Sequence, residues 1–146
     1  MKALTLTQPW ASSVALGNKH FETRSWRTNY RGLLAIHAAK GFPKSAQSFA
    51  QEEQLMTRLP MELPFSAIVA IVTLVDCKPV ELVVSKISDL ERRLGDYSPG
   101  RWAWQFENII ALPHPVSCSG ALSLWQPPTM FENKILEQLA TLVLPK

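Results

Sequence analysis

The sequence predicts a small α+β domain built as a partly closed β-barrel with short peripheral helices. Three observations carry that expectation. Strand-like stretches outnumber helical ones, the helices that can be drawn are short and bounded by Gly or Pro, and 11 prolines in 146 residues impose frequent turns. With 47% apolar residues, a chain of this length buries roughly 70% of its unfolded surface and needs neither metal nor disulfide to fold. One domain over 1–146 is expected, with 127–146 a C-terminal helix appended to the barrel.

Residues 2–7 set Leu4 and Leu6 against Ala3, Thr5 and Thr7, the period of a half-buried strand. A helix follows, with Thr7 as N-cap, Pro9 in the first turn, an apolar stripe of Trp10, Ala11, Val14 and Ala15, and Gly17 closing it in the left-handed conformation. Residues 20–26 alternate again, placing His20, Glu22, Arg24 and Trp26 on one face and Phe21, Thr23 and Ser25 on the other. After a turn over Asn29 to Gly32, Leu33 to Ala38 reads as a third strand. Gly41-Phe42-Pro43 breaks the chain before a helix expected over about 44–56, with Ala46, Phe49 and Ala50 on its apolar side. Pro60 and Pro64 bracket a loop, and Ala67 to Val75, dense in Val and Ile, is a buried strand. Ser88 and Glu91 have the spacing of a capping box for a short helix ending at Gly95. From Arg101 to Leu112, Trp102, Trp104, Phe106, Ile110 and Leu112 share one face, with Asn108 its one polar member. Gly120 to Trp125 is the last strand, and Pro127-Pro128 opens an amphipathic helix to about Val143 with Phe131, Ile135, Leu139 and Leu142 along one side.

The formal net charge of +3 is unevenly spread: residues 1–44 carry +6 and the remaining 102 residues carry −3. A basic segment folded onto one face attracts phosphates and other anions. Cys77 and Cys118 stand 41 positions apart with no Cys-x-x-Cys motif, too few ligands for a structural zinc site, and no metal or other cofactor is expected. The opening residues lack a signal peptide's apolar core, and the longest apolar run, Ala67 to Val75, falls far short of the roughly 20 residues a membrane helix needs. A cytoplasmic protein with reduced thiols and no membrane partner is the expectation.

Chemistry concentrates after the first helix, in Gly17-Asn18-Lys19-His20-Phe21-Glu22-Thr23-Arg24-Ser25-Trp26. On a strand, Glu22 and Arg24 stand roughly 6.6 Å apart on one face, close enough to share a polar or anionic ligand. Lys19 enters from the preceding turn, so an ammonium, a carboxylate and a guanidinium surround one small volume. The aromatic Trp10, Trp26 and Trp102, the last beside Arg101, are candidate platforms for stacking a base, whereas Trp104 and Trp125 read as core. The candidate binding set is therefore Trp10, Lys19, Glu22, Arg24, Trp26, His37, Arg101 and Trp102.

The chain resembles the ASCH (activating-signal-cointegrator homology) family, a branch of the PUA-like superfamily of small β-barrels. The resemblance rests on Gly17-x-Lys19-x-x-Glu22-x-Arg24, the preceding Gln8-Pro9-Trp10-Ala11, the strand Gly32 to Ala38, the segment Gly95 to Trp104 and the closing Gly120 to Trp125. It implies a barrel whose cleft beside the first helix, lined by the Lys-Glu-Arg motif, takes RNA or a nucleobase. Some members hydrolyse the amide of acetylcytidine with a motif lysine, a nearby threonine and a remote glutamate. Lys19 matches that lysine, and Glu22 stands at the threonine's position.

Four uses of these residues follow. The first is binding of RNA or a modified nucleoside. The second is amide hydrolysis with Lys19, Glu22 and His37 as candidate catalytic residues. There Lys19 would act as the neutral amine, which Arg24 favours and Glu22 opposes, or Glu22 would be the base and a cation would hold the oxyanion. A third is metal-independent RNA cleavage by His20 with His37. The last is non-catalytic: Lys19, Glu22 and Arg24 form an ion-pair network closing the barrel mouth, and the C-terminal helix offers its apolar side to a second copy in a homodimer.

Overall fold

In the computed structural model, residues 1–143 are described. The last three residues of the expected C-terminal segment, 144–146, lie outside them. The described chain runs β1 (Lys2–Leu6), α1 (Trp10–Ala15), β2 (Phe21–Arg24), β3 (Gly32–Ala38), α2 (Lys44–Ala50), α3 (Glu53–Met56), β4 (Ala67–Pro79), α4 (Asp89–Arg93), β5 (Trp102–Ser117), β6 (Leu124–Trp125) and α5 (Thr129–Val143), with two 3₁₀ turns between β4 and α4. Six strands among the described residues form one mixed sheet in the order β2-β5-β4-β3-β1-β6, curved into a half-barrel. β1 pairs parallel with β3, and the other neighbours are antiparallel.

Alternation along β1 and β3 sorts their side chains to the two faces of the sheet. Leu4, Leu6, Leu34 and Ile36 enter an inner cluster with Val72, Leu74, Trp104 and Phe106, sealed by Ala11 and Val14 of α1. Ala3 and Ala35 join an outer cluster with Ile68, Ile71, Leu112 and Val116, sealed by Ile135 of α5. The α1 helix is held by a side chain that the N-cap expectation did not include. The N-cap position falls at Pro9 and not at Thr7, no side chain caps it, and Thr7 contributes only its carbonyl, accepting from Trp10 N at 3.0 Å and Ala11 N at 3.3 Å. Buried Gln8 takes the amide of Ser12 at 2.9 Å and donates to Ser12 Oγ at 2.7 Å and the Pro64 carbonyl at 2.9 Å. Gly17 ends the helix at φ 78, as its position demands.

Four further expectations are corrected. The single helix over 44–56 is two, broken at Glu52, whose backbone is extended (φ −61, ψ 135). Nine residues of unbroken helix would place Leu55 about 180° around from Ala46. The break lets both turn inward, and they are the buried residues of these helices. The one-faced alternation of β5 fails at Asn108, which takes φ 50 and inserts a bulge: β4 advances from Ile71 to Thr73 while β5 moves from Ile110 to Glu107. Trp104 and Phe106 therefore face the inner cluster and Leu112 the outer one. The final strand shrinks from Gly120–Trp125 to Leu124–Trp125. The apolar side of α5 is covered by its own sheet: Ile135 is fully buried with Phe131 and Leu139 packed around it, so the side offered to a second copy is already occupied, leaving Leu142 exposed.

Candidate functional site

The motif strand β2 lies on the end of β5, with Glu22 opposite Trp104 and Arg24 opposite Trp102. Its entry is fixed from two sides. The amide of Lys19 bonds the Ser13 carbonyl in α1 at 3.0 Å, and the amide of His20 donates to buried Glu91 of α4 at 2.7 Å. Ser88 caps α4 through the Glu91 amide at 3.1 Å, as its spacing predicts, but the Glu91 side chain turns inward to β2 instead of closing a capping box.

Lys19 is fully buried. Its Nζ donates to the Leu94 carbonyl just past α4 at 2.7 Å and stands 3.4 Å from Glu22 Oε1. Glu22 Oε2 lies 3.3 Å from Arg24 Nε, and Arg24 Nη2 donates to the Thr5 carbonyl at 3.0 Å. One carboxylate thus sits between an interior ammonium and a cleft-facing guanidinium. On the other face of β2, buried Thr23 takes the Asp96 amide on Oγ1 at 3.1 Å, while its carbonyl accepts from Arg101 Nη2 at 3.0 Å. Arg101 Nε also donates to the Asp96 carbonyl at 3.1 Å. Hydrogen bonds from Ser98, then the Arg101 charge, hold the Asp96 carboxyl below the usual range. Burial, then Glu91 and Glu22, push the Tyr97 hydroxyl well above its ordinary range, so it stays a neutral phenol.

These segments enclose a cleft of about 460 Å³. Thr5, Leu6, Thr7 and Trp10 form one wall, Glu22 and Arg24 the floor, Arg93 to Asp96 with Arg101 the opposite wall, and Phe49 of α2 closes over Trp10. The two rings stack at 5.3 Å between centroids and 14° between planes.

The structure brings Trp10, Glu22, Arg24 and Arg101 of the expected set to this cleft, with Lys19 directly beneath Glu22. Three others lie elsewhere. Trp26 sets its ring against the buried Trp104, centroids 4.8 Å apart at 84°, because β2 ends at Arg24 and the chain turns onto the inner cluster. Trp102 lies beneath the Arg27 guanidinium at 5.4 Å. His37 is buried beyond Thr5: Nδ1 is 3.1 Å from Thr5 Oγ1 and Nε2 is 2.8 Å from the Cys118 carbonyl. Burial lowers its pKa, so the ring is neutral, and its partners assign the proton to Nε2 for Cys118 and the lone pair to Nδ1 for the threonine hydroxyl. His20 instead faces Glu91, 3.4 Å from Nδ1, so the two histidines serve different partners and form no acid-base pair. Phe49, Arg93 and Asp96 were not in the expected set. Arg93, in the last turn before Gly95, had a positional signal, whereas Phe49 read only as helix apolar side.

The architecture defines a small half-barrel domain with a basic, aromatic-walled cleft between its first helix and second strand. The ASCH domain profile matches residues 4–115, and the chain belongs to the ASCH domain family. It is 34% identical over 80 residues to human (Homo sapiens) activating signal cointegrator 1 and 36% identical over 81 residues to the Mus musculus protein. Each match covers 51% of this chain but only 14% of the relative's length. The crystal structure of ASCH from Zymomonas mobilis superposes with a TM-score of 0.58 at 12% identity, covering 93% of both chains. A mutant form of the Zymomonas mobilis protein gives 0.58 at 14% identity, covering 93% of this chain and 96% of that one. At such identities the likeness concerns the fold alone.

Proposed function

We propose that the cleft binds RNA or a nucleotide. The observation that carries this reading is the convergence of one aromatic wall, Trp10, with three guanidinium groups, Arg24, Arg93 and Arg101, around a single cavity of about 460 Å³. A base stacked on an aromatic face contributes about 1–3 kcal/mol, and cations supply a sequence-independent attraction to phosphate. Glu22 on the floor accepts hydrogen bonds from an exocyclic amine or ring N–H, which favours a base over a bare phosphate. The test is anisotropy of a labelled single-stranded RNA against salt. Wild type should bind with an affinity that falls as salt rises, and Trp10→Ala should bind weakly. Equal binding by wild type and Trp10→Ala places the RNA on another face and defeats the reading.

An amidohydrolase acting on acetylcytidine is favoured by one observation, a carboxylate on the cleft floor beside a guanidinium. In that reading Glu22 is the base for water and Arg24 holds the oxyanion. Lys19 contributes charge from below, since its ammonium is fully buried and bonded to Leu94. Incubation of the pure protein with free acetylcytidine decides it: release of cytidine and acetate that Glu22→Gln abolishes supports it, and no turnover by wild type ends it. Metal-independent RNA cleavage has no comparable support, because His20 and His37 are not paired.

A further inference from the structure

The α2–α3 segment is weakly rooted, with Ala46 and Leu55 as its buried residues. Two of its side chains nevertheless make specific contacts with cleft residues. Phe49 lies parallel to Trp10 at 5.3 Å and covers one ring face. Glu52, at the break between the helices, makes an ion pair with Arg93, both side chains about half exposed. A flat ring on the aromatic wall and, three residues on, an anion on a guanidinium are the two groups that a nucleotide would bring: a base and a phosphate.

We propose that α2–α3 is an internal stand-in for the ligand, in which Phe49 occupies a base position on Trp10 and Glu52 occupies a phosphate position on Arg93. This rests on the nucleotide-binding reading of the cleft. An incoming strand displaces Glu52 from Arg93 with its phosphate and shares or takes over the stack at Trp10. The contacts of the segment with the cleft can yield, being a surface ion pair and one ring stack, while Ala46 and Leu55 keep its root seated; Arg24 and Arg101 are instead fixed by backbone carbonyls. Ligand-free protein is thereby kept partly closed, and Arg93 marks a phosphate subsite distinct from the Arg24 floor.

The experiment measures anisotropy of a short fluorescein-labelled single-stranded RNA from low to physiological salt, with wild type, Glu52→Gln, Arg93→Gln and the double variant. Both residues are half exposed, so all four proteins should fold. Glu52→Gln should bind up to about fivefold tighter than wild type at low salt, the worth of a surface ion pair. Its plot of log affinity against log salt should keep the wild-type slope, because the same phosphate reaches Arg93 in both proteins, whereas loss of that contact in Arg93→Gln should flatten the slope by about 0.7. Arg93→Gln should bind more weakly, and the double variant should show no gain over Arg93→Gln. If wild type binds but Glu52→Gln binds no tighter, the stand-in is wrong and the cleft reading survives. A gain from Glu52→Gln that persists in the double variant comes from net charge alone and also overturns it. Absence of binding by all four proteins overturns the stand-in and the cleft reading together.

Discussion

Replacing Lys19 with Met keeps a straight side chain of similar volume and removes only the ammonium, so no cavity is created. Three consequences can be weighed. The Leu94 carbonyl loses a charged donor at 2.7 Å and, buried, costs about 1–3 kcal/mol to leave unsatisfied. Glu22 loses a partner at 3.4 Å but keeps Arg24 at 3.3 Å and is 14% exposed, so its penalty lies below the roughly 3–5 kcal/mol of a fully broken buried pair. Relief of the desolvated ammonium offsets part of both. A net loss of about 3 kcal/mol follows, or roughly 6–12 °C in melting temperature for a domain of this size. Urea unfolding of wild type, Lys19→Met, Glu22→Gln and the double variant measures it, and the double variant should be less destabilised than the sum by about 1–2 kcal/mol. If Lys19→Met stays within about 0.5 kcal/mol of wild type, the range of ordinary surface changes, the structural account of this lysine is wrong. Unchanged stability with lost turnover of acetylcytidine would make it a chemical group.

Two further outcomes concern the region beyond Thr5. A Cβ at Gly120 would stand 2.6 Å from His37 Cε1 and 2.7 Å from both His37 Nδ1 and Thr5 Oγ1. Because His37 is also tied to Cys118, Gly120→Ala should lose about 1–3 kcal/mol in a urea melt, and a neutral result would show that this loop relaxes freely. The lowered pKa of His37 makes stability depend on pH. The unfolded chain takes up a proton near the ordinary value of 6.5 while the folded ring does not, so stability is full above 6.5 and falls as pH drops from there toward the folded-state value. Melting temperature between pH 7.5 and 5.5 should fall in wild type and flatten in His37→Gln; parallel curves would remove His37 as the source.

Much of the fold was legible because local chemistry and tertiary demand agree. Gly17 needed a left-handed backbone and has one, Ser88 caps the helix it precedes, and β2 carries Glu22 and Arg24 to one cleft as period two requires. What was not legible depends on contacts distant in sequence. Asn108 reads as a polar residue on an apolar face, and only the two-to-three advance against β4 reveals it as a bulge that sends Leu112 to the other cluster. The helix break at Glu52 has no Gly or Pro to announce it and is set by the need to bury Ala46 and Leu55 together. Trp26 belongs to the alternating run in sequence, but its strand stops two residues earlier and the ring goes to Trp104. Phe49 reaches the cleft by stacking on Trp10, a pairing 39 residues apart in sequence that no local pattern encodes.

The cleft has two walls of unequal permanence. Lys19, Glu22 and Arg24 are tied to one another, to the Leu94 carbonyl past α4 and to the Thr5 carbonyl of β1. Phe49 is only half-buried and Glu52 is exposed, so replacing these two costs little stability. On the proposed reading of the cleft, ligand preference can therefore drift by changes at Phe49 and Glu52 alone, with the half-barrel untouched.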